Sequence, residues 1–321
     1  MLLDLLYRTI PEKEQRIRTD KKVVSIESDS NGVKVRCADG SVEEGSIVIG
    51  CDGVHSHVRE IMSDLAQKTS AKVHNSETPM VAQYQLLAGH LRRNFKLEAG
   101  RLWEIRNDGL CLQIFMLEEE GWFLIYRRLP EPAYEYHRYT NEDAEKFAMD
   151  ISNQPINKSM KFGDLWEDRK WVRLVNIEEG FIQRWHQDRI VLVGDSVHKM
   201  TPNAGLNVNQ GWQGVVALTN LLRRLLLTNP NPDNKALAKV FGEYQKMTEK
   251  TAKQSLMLSE LYTRVTSWHN IVYKVLDWVG QHVGGDLLLF RILASPIVRQ
   301  GLILDFVKET DFKAGKIKWD N

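Results

Sequence analysis

Hydrophobic positions along the chain fall into short continuous runs and helix-spaced stripes. Ile47-Val48-Ile49-Gly50 and Arg189-Ile190-Val191-Leu192-Val193 are brief β-branched runs that predict buried strands. Val215, Leu218, Leu221, Leu222, Leu225 and Leu226 recur at helical spacing, and Asn229-Pro230-Asn231-Pro232 ends that helix. Strands are expected near Lys22–Glu27 and Val33–Cys37, with turns at Asn31-Gly32 and Asp39-Gly40, and a helix at Leu2–Tyr7. From 66 to 185 the pattern is aromatic and β-rich, with strands at Val81–Leu87, Leu102–Ile105, Leu110–Phe115 and Trp122–Tyr126. Residues 251–321 read as amphipathic helix. The pattern divides the chain at 1–65, 66–185, 186–250 and 251–321 and gives an α/β (α+β) fold class.

Composition narrows the function. Lys+Arg 43 against Asp+Glu 42 in 321 residues leaves the chain almost neutral, which gives no basis for a nucleic-acid partner. Cys37, Cys51 and Cys111 have no paired spacing and suit a reducing, cytoplasmic setting, with Cys51 expected as a buried thiol in its strand. Asp4 and the lack of a basic start argue against reading the first residues as a signal peptide. Gly284–Val307 is apolar but interrupted by Asp286, Arg291, Pro296 and Arg299. It is expected as a packed helix pair, with peripheral membrane attachment as the alternative. His55 and His57 lack a completing cluster, so no metal site is expected. The oligomeric state is left open.

The candidate chemistry lies at the two strand ends. In Gly194-Asp195-Ser196-Val197-His198-Lys199-Met200-Thr201-Pro202-Asn203-Ala204-Gly205 a strand delivers a carboxylate to a loop, and a Pro/Gly turn then opens a helix. A carboxylate there suits a ribose or ribityl hydroxyl, and free N–H groups at a helix start suit an electron-rich oxygen. In Cys51-Asp52-Gly53-Val54-His55-Ser56-His57-Val58-Arg59 the second strand feeds a sharp turn, where Asp52 offers an acceptor and Arg59 a pyrophosphate donor. Together these resemble the GD and DG motifs of the group A flavoprotein monooxygenases. The spellings His198–Asn203 and Leu2–Leu6 resemble the fungal branch acting on prenylated and terpenoid intermediates.

The resemblance implies a Rossmann-like FAD-binding domain formed by 1–65 and 186–250, an inserted β-sheet substrate domain at 66–185 and a helical tail at 251–321. It implies FAD contacts at Asp52, Gly53, Arg59, Gly194, Asp195, Pro202, Gly205, Asn207 and Val208. NADPH would reduce the flavin, and one oxygen atom of O₂ would be delivered to a hydrophobic substrate as an epoxide or hydroxyl. Tyr84 and Gln85 stand where relatives often have Tyr-Arg and are the candidates for substrate chemistry, although Gln85 lacks the arginine's charge. His198 is expected to be structural and Lys199 a solvated charge. Asn207 replaces a family glycine, and Gln213-Gly214 replaces a Glu-Asp pair.

The G-x-G-x-x-G unit with which such enzymes open does not occur in the sequence. The chain is therefore expected to be a member lacking its first βαβ unit, through a misplaced start or through decay. The rival readings are an inactive remnant, a simple aromatic-ring hydroxylase, and a halogenase or reductase on the same scaffold.

Overall fold

The computed structural model describes residues 2–68, 75, 80–94, 96–285, 288 and 290–308. The chain opens with helices α1 (Leu2–Thr9) and α2 (Lys13–Arg16). Strands β1 (Val23–Ser28), β2 (Val33–Cys37) and β3 (Val42–Gly45) form an antiparallel meander of their own. Its first turn is set by Asp29, whose carboxylate accepts from the N–H groups of Asn31 and Gly32 at 2.7 and 3.0 Å. The strand expected near Lys22–Glu27 thus belongs to a separate sheet and does not extend the one holding Ile47–Gly50.

Strand β4 (Val48–Gly50) leads into helix α3 (His57–Lys68). A large antiparallel sheet follows, from β5 (Met80–Arg92), β6 (Arg101–Asn107), β7 (Leu110–Met116) and β8 (Glu120–Ala133). Helix α4 (Asn141–Asp150) starts on a capping box between Thr140 and Asp143. Strands β9 (Pro155–Asn157) and β10 (Met160–Lys161), helix α5 (Phe162–Trp166) and strand β11 (Arg169–Phe181) come next. Strands β12 (His186–Gln187), β13 (Ile190–Leu192) and β14 (His198–Lys199) precede helix α6 (Asn207–Thr228). Helices α7 (Asn234–Thr266) and α8 (Ile271–Val283) complete the main body.

The six-stranded sheet has the order β14-β11-β5-β8-β7-β6. Side chains alternate between its faces. Leu87, Leu112, Phe123 and Ile125 pack on Phe147, Phe162 and Leu165 of α4 and α5, while Tyr84, Leu86, Cys111, Tyr126 and Ile177 form the other face. Hydrophobic patterning found β5 to β8 but not α4, α5 or β11. The five-residue surplus of β5 beyond Val81–Leu87 at its C-terminal end is polar or small at Gly89 and His90, which hid it.

The second core lies under the sheet β12-β13-β4, where Trp185, Val191, Leu192, Phe241 and Tyr244 are buried. Here β13 and β4 run parallel, with Leu192 opposite Gly50. A Cβ on Gly50 would stand 2.6 Å from Leu192 Cδ2 and 2.9 Å from Val58 Cγ1, so glycine is what lets the two strands and α3 close together. Helix α7 has 33 residues, about 50 Å at 1.5 Å per residue, and spans both cores. Near its start Leu237, Phe241 and Tyr244 enter the second core, and further along Ser259, Thr263 and Thr266 are buried toward the large sheet.

One expectation needs correction here. Cys51 lies just past β4 and is exposed, because the strand stops at Gly50. Where a helix pair is expected at 284–307, the described residues include a five-residue π-helical turn, Phe290–Ala294, running into the short helix Ser295–Arg299, and residues 286, 287 and 289 lie outside the described residues. Among the described residues no helix is long and apolar enough to cross a membrane.

Gly50→Ala is expected to lower the unfolding free energy by about 1–3 kcal/mol, the usual range for overpacking. Urea denaturation checks it, and an unchanged midpoint would mean that the β4–β13 contact is looser than the structure shows.

Candidate flavin and substrate site

The two motif loops meet at the ends of β4 and β13. Val193 N–H donates to Gly50 O at 3.0 Å, and Ser196 Oγ lies 2.9 Å from Gly50 O. Arg59 closes the join from the other side: it donates to Ser196 O at 2.9 Å and to Val54 O at 2.6 Å. Residues 137 and 146 positions apart are thereby held as one surface. Arg59, expected as a pyrophosphate donor, spends two of its five donors on this cross-link. Asp52, expected to face a hydroxyl, accepts from Val58 N–H at 3.0 Å and from the Ser56 hydroxyl, which caps α3.

Asp195 sits in a 3₁₀ turn, Gly194–Ser196, that Gly194 enters with φ +71°. One carboxylate oxygen accepts from Asn207 Nδ2 at 2.8 Å, and the other pairs with Lys199. Lys199 is therefore an ion-pair partner and not the solvated charge expected. The Asp195 side chain keeps 34% of its surface exposed, enough for a further hydroxyl to reach it. Asn207 acts through its amide on Asp195 and has an ordinary helical backbone.

A second 3₁₀ turn, Pro202–Ala204, ends at Gly205 with φ +68°, a conformation in which a Cβ would be strained. Leu206 precedes α6 as its N-cap and gives no side-chain cap, and Val208 and Asn209 are exposed in the first turn. The first N–H groups of a 22-residue helix are therefore presented beside the Asp195 loop. The turn is fixed from behind by α7: Thr201 Oγ1 lies 2.6 Å from Thr263 Oγ1, which donates to Asn203 Oδ1 at 2.8 Å. These residues fit the polar edge and sugar chain of a flavin. They supply an accessible carboxylate, a glycine-shaped turn and an uncapped helix start.

His198 is buried beside Trp185, and burial lowers its pKa to about 4. It is neutral and inaccessible, as expected for a structural residue. Gln213 accepts from Leu302 N–H, and Gly214 leaves room for the Tyr244 hydroxyl.

An apolar cavity of about 340 Å³ begins at the same turn. Asn203, Ala204 and Leu206 form one wall, and Leu258, Leu261 and Val265 of α7 another. Its polar side is Arg106 and Tyr262, both hydrogen-bonded to Glu104 at 2.8 Å, with Arg106 also paired to Asp277. Tyr84 and Gln85 are not on this wall. Tyr84 is fully buried, its hydroxyl 2.9 Å from Ser267 Oγ and 2.7 Å from His269 Nδ1, and burial pushes its pKa up to about 12. Gln85, on the opposite face, donates to Tyr139 and accepts from Arg127. Adjacent strand residues point to opposite faces of a sheet, so Tyr84 and Gln85 do not face one site together. Arg106 and Tyr262 were missed because the β6 run and α7 read as ordinary sheet and helix. Only the crossing of α7 over β6 brings them together.

The fold and this site define a flavoprotein scaffold, and comparison with known proteins agrees. The FAD binding domain family matches residues 132–232. The chain is 32% identical to the FAD-dependent monooxygenase srdH of Neurospora crassa over 99% of its own length and 74% of that protein's. It is also 32% identical to spyC of Aspergillus fumigatus, over 95% of the chain and 66% of that protein. With ausM of Penicillium brasilianum the identity is 31%, over 92% of the chain and 63% of that protein. The chain belongs to this family of fungal FAD-dependent monooxygenases. It spans between about three fifths and three quarters of the length of these three relatives. Among solved structures it superposes on Klebsiella pneumoniae HpxO complexed with FAD and uric acid with a TM-score of 0.69 at 17% identity, covering 92% of this chain and 70% of that one. For the tetracycline destructase Tet(55) the TM-score is 0.65 at 15% identity, covering 97% and 74%. These likenesses establish the FAD-binding fold.

Because burial depresses the His198 pKa from 6.5 to about 4, the unfolded chain binds a proton there that the folded chain does not. Stability is therefore expected to fall as pH drops from about 6.5 to 4, by at most about 1.4 kcal/mol per pH unit from this group. Urea titrations should show a shallower pH slope for His198→Gln, and an identical slope would contradict a neutral buried imidazole.

Proposed function

We propose that the chain is the FAD- and substrate-holding part of a monooxygenase that inserts one oxygen atom from O₂ into an apolar, prenylated or terpenoid intermediate. NADPH is the reductant, and alkene epoxidation is the favoured outcome. The observation that carries this reading is the placement of the apolar cavity against the Asn203–Leu206 turn, directly after the Asp195 loop. Bound FAD, once reduced, supplies the activation of O₂; the other atom of O₂ leaves as water. Asp195 would accept a flavin sugar hydroxyl, with Asn207 and Lys199 holding its carboxylate in place. The first N–H groups of α6 would stabilise negative charge on the ring's oxygen edge. The apolar walls bind the substrate and exclude water. Arg106 and Tyr262 both direct hydrogen bonds to Glu104 and so serve the wall; epoxidation asks for no acid or base there.

Asp195→Ala is expected to weaken FAD binding by about 1.5–3 kcal/mol, the usual contribution of a hydrogen bond to a charged group. Titration by flavin fluorescence quenching measures it, and an unchanged affinity would leave Asp195 a structural role only. The reaction is tested by incubating the flavin-loaded protein with NADPH, O₂ and prenylated aromatic or polyene substrates and looking for a gain of one oxygen by mass. Turnover of small hydrophilic phenols alone would favour a simple ring hydroxylase.

A further inference from the structure

Helix α8 has its polarity reversed. Its one buried residue is Asp277, while Val272, Trp278 and Val283 are each more than 60% exposed. Val272, Val275, Val279 and Val283 fall on one stripe at helical spacing, and Ile271 and Trp278 flank it. The inward side explains the orientation. Asp277 pairs with Arg106 of β6 and accepts from Trp268 Nε1 at 2.8 Å and Gln281 Nε2 at 2.9 Å. The helix is thus pinned through polar contacts, and its apolar face is turned outward.

Two further observations say what this face meets. Leu276 and Leu293 line the apolar cavity and are themselves 48% and 39% exposed, so the cavity wall and the outer patch share residues. The border is cationic at exposed Arg291 and Arg299, in the turn and short helix that follow, while Lys274 on the helix is paired with Asp108. The described carboxylates of this region, Asp108, Asp277 and Asp305, are each paired with a cation, Lys274, Arg106 and Arg224. An apolar stripe with an interfacial tryptophan and a basic rim is the signature of a helix lying in the headgroup layer of an anionic bilayer.

We propose that the outer face of α8 docks on an anionic phospholipid surface, and that the apolar cavity is filled from the lipid past Leu276 and Leu293. The docking stands on the helix itself; the filling step rests on the reading of the cavity as the substrate site.

The test is flotation of the full chain with phosphatidylcholine vesicles, with and without phosphatidylserine. The chain should float with the serine-containing vesicles, and more weakly with phosphatidylcholine alone. Its tryptophan emission should shift to the blue on binding, and Trp278→Phe should remove most of that shift. Val275→Asp combined with Val279→Asp should reduce binding by about tenfold or more without changing the melting temperature, since both side chains face solvent. Failure of the chain to float, or equal flotation of the double variant, would overturn the proposal. So would a dimer that the double variant dissociates in the absence of any vesicle binding, which would make the face a contact between copies. Filling is read separately, by transfer of a dansyl-labelled farnesol from vesicle to protein. Leu276→Trp should slow the transfer while flotation persists, and undiminished transfer would overturn the filling step alone.

Discussion

Everything in the candidate site depends on the junction of two strand ends. Gly50 and Leu192 lie opposite one another on parallel strands, and the missing Cβ at Gly50 lets them approach. The Ser196 hydroxyl and the Arg59 guanidinium then tie the two following loops together through backbone carbonyls. Such a join costs little flexibility locally, because each partner is a rigid strand end or a helix start. What it secures is a fixed distance between the Asp195 loop and the loop of Asp52 and Gly53.

Helix α7 carries the same constraint to the substrate side. Its early turns pack in the core beneath the motif strands, and its later turns hold Thr201 and Asn203 by hydroxyl and amide contacts. The turn that faces the cavity is thus set by a helix anchored in the other core. A polar seam along a buried helix face is worth more here as positioning than as stability, since hydrogen bonds of this kind contribute about 1 kcal/mol each net.

Much of this was legible in the sequence. The strands ending at Gly50 and near Leu192, the helix after Leu206 and four strands of the large sheet follow from apolar runs and their punctuation, because both periods survive in the residue order. Asp195 was visible for the same reason: a lone carboxylate between a buried strand and a Pro/Gly turn. What the sequence hid is long-range. Arg59 reads as a pyrophosphate donor and Asp52 as a hydroxyl acceptor; their bonds to Ser196 O and from Val58 N–H are visible only in the fold. Tyr84 and Gln85 were grouped by adjacency, whereas the sheet sends them to opposite faces. Arg106 and Tyr262 lie 156 positions apart and meet only through Glu104.

The central claim is that the joined loops and the adjoining cavity form a single flavin and substrate site. A crystal structure of the protein grown with FAD tests it most directly. Flavin density is expected with a sugar hydroxyl on the Asp195 carboxylate and the ring between the Pro202–Gly205 turn and the apolar cavity. Density for the flavin elsewhere on the surface, with Asp195 still bonded only to Asn207 and Lys199, would contradict it.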